Sequence, residues 1–237
     1  MKYLVKISVV LGLLLGAQAS YGAISKNGRQ LVVITNLDNH PGGKWSWLYQ
    51  FLDSATVSLS KKALGPVYKN ITVLYKGNAT SGKFTNALQN LAKSNNVKAI
   101  DTIFHLHGNP NRAAFANGNK TIASIRAVLE PSQGMEKLRL MYNLACYGAT
   151  HRQEFIRSGF RTAVGARKVN TSSGSEFPLF LAAWVAQKPI NSVFNNHNGS
   201  ITMNMSDAAA MNMGFPDADS WKVISGTRNL IIRSNAK

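Results

Sequence analysis

Ala99-Ile-Asp-Thr-Ile-Phe-His-Leu106, followed at once by His107-Gly108-Asn109-Pro110, is a short apolar run that stops at turn-forming residues. Such a run reads as a buried strand. The same alternation extends outward in both directions. Upstream, Ile71-Thr-Val-Leu-Tyr75 is a strand, and Phe84, Leu88 and Leu91 mark a helix after it. Further upstream, Gln30-Leu-Val-Val-Ile-Thr35 is a strand, and Trp45, Leu48, Tyr49, Leu52 and Ala55 share one helical face. Downstream come a helix with Ile122, Ile125, Val128 and Leu129, a strand from Leu138 to Ala145, and another from Arg161 to Ala166. Ser175-Glu-Phe-Pro-Leu opens a helix that continues through Phe180, Leu181, Trp184 and Val185, and Asn229 to Arg233 is expected as the last strand. Strand and helix in alternation predict an α/β domain, a mostly parallel central sheet with helices on both faces. In such sheets, binding and catalysis sit beyond the carboxyl ends of the strands.

The 237 residues suit one fairly large domain, and no repeat or Pro- or Ser-rich linker divides them. Residues 1–19 have the form of a secretory signal peptide. Lys2 and Lys6 form a basic start, an apolar core follows, and Ala17-Gln-Ala19 is a small-x-small cleavage site, with cleavage as late as residue 23 an alternative. This leaves a single domain at 24–237 and predicts an exported, periplasmic or secreted protein. No later segment is apolar for long enough to span a bilayer. The 27 Lys+Arg against 10 Asp+Glu give +17, or +15 once the signal segment and its two lysines are removed. That charge favours an anionic surface as partner without specifying any chemistry. The single cysteine, Cys146, excludes a disulfide framework and any zinc site built from several thiolates.

Four strand ends carry polar residues: Asn36-Leu-Asp-Asn-His40, Gly77-Asn-Ala-Thr-Ser-Gly-Lys83, His107-Gly108-Asn109-Pro110 and Cys146-Tyr147-Gly148. The second imitates a phosphate loop. Phe84 stands where Ser or Thr would ligate Mg²⁺, so an ordinary turn capped by Thr80 or Ser81 is expected and no cofactor. His107 and Cys146 are more informative together. Both follow apolar strands and should project from one sheet edge, and a thiol needs a nearby imidazole to act as a nucleophile. Gly108 allows close backbone approach, so its N–H could face a substrate carbonyl. His105 shares the side of the strand that bears His107, but with no carboxylate or third His close by it is assigned to packing, and no metal is expected. His40, His151 and His197 are expected on loops or helix surfaces, with His151 the rival to His107 as base.

Asp101-Thr-Ile-Phe-His-Leu-His107-Gly108 and Leu140-Met-Tyr-Asn-Leu-Ala145-Cys146, with 39 residues between His107 and Cys146, resemble the two motif strands of clan CD cysteine peptidases, the caspase, metacaspase, legumain and gingipain assemblage. The resemblance covers most of the mature chain by order of elements and is specific in those two blocks. It implies a three-layer αβα caspase-like fold and an endopeptidase acting on peptide or protein substrates. Cys146 would be the nucleophile, His107 the proton donor to the leaving amine, and the N–H groups of Gly108 and Cys146 the oxyanion donors. Asn39, with Asn36 as alternative, would support the imidazole. Residues 163–176 would line the specificity pocket, with Arg167, Ser172 and Ser173 as substrate-binding candidates. Glu176 would favour a basic substrate residue, whereas Arg167 and Lys168 would favour an acidic one, and the choice stays open. Tyr147-Gly148 after the cysteine matches no single subfamily. The alternative function is a catalytically inactive caspase-like protein binding an anionic surface or polymer. Oligomeric state is not legible.

Overall fold

Five apolar runs lie side by side as parallel strands. A computed structural model describes residues 23–38 and 43–236; the expected signal segment, Asn39 and His40 lie outside the described residues. Strands β1 (Arg29–Asn36), β2 (Asn70–Tyr75), β3 (Ala99–Asn109), β6 (Leu138–Asn143) and β7 (Thr162–Ala166) run parallel in the order β2-β1-β3-β6-β7. Strand β8 (Lys222–Gly226) closes the edge antiparallel to β7. A hairpin, β4 (Arg112–Phe115) and β5 (Gly118–Thr121), pairs antiparallel with the end of β3. The helices are α1 (Ser46–Leu64), α2 (Ser81–Lys93), α3 (Ile122–Leu129), α4 (Gly148–Arg157), α5 (Ser173–Val185), α6 (Ile190–His197) and α7 (Ile201–Asn212). None is long and apolar enough to cross a membrane. The expected α/β class and mostly parallel sheet are the architecture observed.

Side-chain alternation along each strand assigns the two faces. In β1, Val32 and Ile34 join a core with Phe84 and Leu88 of α2, Ile125 of α3 and Phe155 of α4, whereas Leu31 and Val33 join one with Leu64 of α1 and Phe180 and Trp184 of α5. The turn that imitates a phosphate loop is an ordinary helix start, for Thr80 Oγ1 accepts the Lys83 N–H at 3.2 Å.

A bulge resets the alternation in β6. Ile100 pairs with Leu138 but Asp101 with Leu140, so Arg139 is the extra residue. Its fully buried guanidinium grips Asp101 through both carboxylate oxygens, and the Leu140 N–H also donates to Asp101, at 3.1 Å. Tyr68 Oη donates to the same carboxylate and accepts from Trp184 Nε1 at 2.9 Å. The remaining guanidinium nitrogen donates to the carbonyls of Ile232 (2.6 Å) and Ser234 (2.7 Å).

Those carbonyls explain one correction. Asn229 to Arg233, expected as the last strand, is not in the sheet; β8 takes that place. The segment is a strap. Its Leu230 and Ile232 side chains plug the core, while arginine side chains and the first N–H groups of α6 take its carbonyls. The apolar pattern that suggested a strand reports burial without a ladder. The β4–β5 hairpin and helices α6 and α7 are further additions, and β3 runs three residues beyond Leu106 because the hairpin pairs with it.

Arg139→Met should cost about 3–5 kcal/mol, because it leaves the buried Asp101 charge without its counter-ion and the Ser234 carbonyl without its donor. Arg139→Lys should recover only part of this, since one ammonium cannot grip a carboxylate in a fork and reach the strap as well. Urea unfolding midpoints check both; a wild-type midpoint for Arg139→Met would refute the role given to this pair.

Candidate active site

His107 and Gly108 lie where β3 outruns its neighbours. Pairing with β1 ends at Asn36–Leu106 and pairing with β6 at Phe104–Asn143. Beyond that, His107, Gly108 and Asn109 pair only with β4, opposite Ala114, Ala113 and Arg112. Counting by twos from Ile103 puts His105 and His107 on the α1 face, and counting from Tyr142 and Leu144 puts Cys146 there too. Both His107 and Cys146 line one cavity of about 570 Å³ at the carboxyl end of the sheet.

Two glycine contacts hold the strand ends together. A Cβ on Gly108 would sit 2.1 Å from the Cys146 carbonyl oxygen and 2.9 Å from Ala145 Cβ, so only glycine lets β3 pass. A Cβ on Gly165 would sit 2.2 Å from the Gly148 carbonyl carbon, which presses the start of α4 onto β7. Between these contacts Tyr147 takes a left-handed conformation (φ 54°), and its N–H donates to the Lys168 carbonyl at 2.6 Å. The turn thus presents Cys146 just ahead of α4, and its N–H donates to no carbonyl among the described residues.

His151 is fully buried, not on a helix surface as expected. Its Nδ1 accepts from Asn143 Nδ2 at 3.0 Å and its Nε2 donates to the Asn109 carbonyl at 2.9 Å, while Asn143 Oδ1 accepts the Ala145 N–H at 2.9 Å. It is a neutral brace between the ends of β3 and β6, and both ring nitrogens are occupied. His197 is buried as well, beside Ser172 (3.2 Å) and Glu176 (3.6 Å). Apolar burial elsewhere in these helices is periodic; a single histidine gives no such signal.

His107 Nε2 lies 2.6 Å from the Leu37 carbonyl oxygen, and the Tyr49 ring meets the imidazole edge to face at 4.7 Å. A carbonyl only accepts, so Nε2 carries a proton in this contact. The loop offering that carbonyl is itself held. Asp53, fully buried on α1, accepts the N–H groups of Leu37 (2.9 Å) and Asp38 (3.2 Å) and the Thr35 hydroxyl. One turn on, Thr56 Oγ1 meets His105 Nδ1 at 2.7 Å. The sequence reading missed Leu37 and Asp53. The signal for Asp53 was an acidic residue on the inward side of a helix in a chain with only 10 Asp+Glu.

Around the thiol, the Asn170 N–H points at Cys146 Sγ (3.4 Å), and Asn170 Nδ2 donates to the Leu144 carbonyl at 2.8 Å. Burial pushes the Cys146 thiol up, and the Asn170 N–H and the buried Lys222 cation pull it back only in part. The thiol is therefore protonated at neutral pH and needs a base to become a nucleophile.

Of the substrate-binding candidates, Ser173 lines the cavity. Ser172 is buried with its hydroxyl on His197, and Arg167 is exposed with its guanidinium 4.8 Å from the Trp221 ring centre. Glu176 is buried, accepting from Tyr142 Oη at 2.6 Å and ion-paired with Lys222 Nζ at 2.6 Å. Asn36 is buried at the end of β1. Among the described residues no three His, Cys, Asp or Glu side chains gather as a metal site.

Gly108→Ala should disrupt this edge, lowering stability and any Cys146-dependent reaction together. Retained reactivity and an unchanged melting temperature would show that the strand ends have room to move apart. Acid sensitivity has a separate source. Burial, helped by the nearby charges of His107 and Lys222, depresses His105 from 6.5 to about 3. The unfolded chain thus binds the extra proton first, and stability present above pH 6.5 is lost as pH falls toward 3. Between pH 7.5 and 5 this one group should remove about 2 kcal/mol. Urea midpoints across that range should fall less steeply for His105→Gln; parallel slopes would rule the group out.

No family model and no curated protein matches the chain. Solved structures do. The Arg-specific cysteine proteinase gingipain R (RgpB) is similar with a TM-score of 0.52 at 10% identity, covering 90% of this chain and 49% of that one. A complex of the pro- and mature domains of Porphyromonas gingivalis RgpB gives 0.53 at 11% identity, covering 90% and 50%. The chain spans about half the length of these proteins. At such identity the likeness is one of fold, a mixed α/β sandwich of the caspase-like gingipain type.

Proposed function

We propose that this chain is an exported cysteine endopeptidase of the clan CD type, with residues 1–19 as its signal peptide and 24–237 as one catalytic domain in the periplasm or outside the cell. The observation that carries the proposal is the shared cavity of His107 and Cys146 at the ends of adjacent parallel strands, with Gly108 packed on the Cys146 carbonyl. The fold likeness to gingipain R supports it.

The chemistry follows from these groups. Nδ1 of His107 takes the thiol proton as Sγ bonds to the scissile carbonyl carbon, and the oxyanion forms against backbone N–H groups of Gly108 and Cys146. The imidazolium then protonates the amine as the C–N bond breaks, leaving a thioester on Cys146. Water, deprotonated by the same imidazole, attacks the thioester, and the carboxylic acid departs as the thiol is restored. The Leu37 carbonyl keeps the ring in one tautomer and supports the imidazolium when it forms, a task the resemblance gave to Asn39 or Asn36. No cofactor takes part in these steps.

Thiol-directed acylating probes and a diverse peptide library test the proposal. Cys146→Ala should abolish both labelling and hydrolysis while leaving the fold intact, and His107→Ala should lower both by at least about a hundredfold. Labelling of His107→Ala at the wild-type rate would overturn the dyad.

A further inference from the structure

The cavity holding His107 and Cys146 has a chemical character of its own. Among the described residues its lining contains no Lys, Arg, Asp or Glu, in a chain with 27 Lys+Arg and 10 Asp+Glu. Its walls are apolar. Trp45 just before α1, with Leu48 and Leu52 of α1, forms one side, and Ala210 and Met213 with Phe215, at and beyond the end of α7, contribute to the lining. Uncharged polar side chains complete it, among them Tyr49 of α1, Asn109 of β3 and Ser206 of α7, with Asn170, Thr171 and Ser173 on the cysteine side.

The charged groups around this cavity are already engaged. Glu176 pairs with Lys222 and accepts the Tyr142 hydroxyl. Asp207, one turn before Ala210 on α7, accepts from Ser220 N (2.9 Å), Ser220 Oγ (2.6 Å) and Thr171 Oγ1 (2.6 Å). Lys168 lies 3.4 Å from Asp217, and Arg167 lies over Trp221. A guanidinium or carboxylate entering the cavity would lose its hydration and meet no counter-charge among the described lining residues, whereas an apolar side chain would gain from leaving water.

Resting on the peptidase proposal above, we infer that this site accepts an uncharged, apolar residue, leucine- or phenylalanine-like, on the acyl side of the scissile bond. That choice departs from the arginine specificity of the structurally similar gingipain R. It also sets aside both charged preferences read from Glu176, Arg167 and Lys168.

Three peptidyl acyloxymethyl ketones that differ only in the residue next to the ketone (Leu, Arg or Asp) decide the matter with the full chain. Cys146 Sγ displaces the acyloxy carboxylate, and the resulting thioether is read by mass spectrometry. The leucine probe should label Cys146 at least about tenfold faster than either charged probe. Equal or faster labelling by the arginine or aspartate probe would overturn this inference and leave the peptidase proposal standing. Labelling by none of the three would overturn both. Ala210→Asp, and Met213→Asp at the more exposed rim should the first fail to fold, place a carboxylate in the apolar wall. Either should raise labelling by the arginine probe relative to the leucine probe; an unchanged ratio in a folded variant would remove this wall from the specificity pocket.

Discussion

The approach of Gly108 to the Cys146 carbonyl is the contact from which the site is built. Strand β3 and the chain just after β6, separated by a hairpin, a helix and a 3₁₀ turn, come into contact here because no side chain stands between Gly108 and the Cys146 carbonyl. Once they touch, His151 and Asn143 can bridge Ala145 to Asn109, and Tyr147 can turn the chain into α4. Gly148 against Gly165 repeats the device one strand further along. The edge is therefore over-determined by backbone packing, so the side chains that face the cavity need not also hold it together.

Charge is distributed in a way that the net value of +17 conceals. One buried ion pair, Arg139 with Asp101, sits toward the amino ends of the strands and ties the bulge of β6 to the carboxy-terminal strap. A second, Lys222 with Glu176, lies against the α5 side near the thiol. Between these, the cavity itself is free of charged side chains among the described residues. Desolvation then governs its titrating groups. It keeps His105 neutral and the Cys146 thiol protonated.

Parts of this were legible and parts were not, for identifiable reasons. Helix α2 announced itself through Phe84 and Leu88 at helical spacing behind the cap at Thr80, and β1 through a run of apolar residues buried on both faces. Such signals are local. The strap at Leu230 and Ile232 carries the same local signal as a strand, because burial alone makes a segment apolar; its carbonyls are met by Arg29, Arg139 and Arg161, whose partners lie far away in sequence. His151 looks like a surface residue on a polar helix, and Asp53 like a lone acid among the apolar residues of α1, for the same reason. Their burial depends on which loop lies opposite.

By itself the sequence determined the parallel α/β class and the placement of a histidine and the single cysteine at successive strand ends, because periodicity and strand termination are properties of the local chain. Only the tertiary structure decided what surrounds them. The Leu37 carbonyl on His107, the Asp53 carboxylate behind it and the uncharged wall from α1 and α7 join residues distant in sequence. Such contacts exist only once the layers have packed, and no spacing along one segment encodes them.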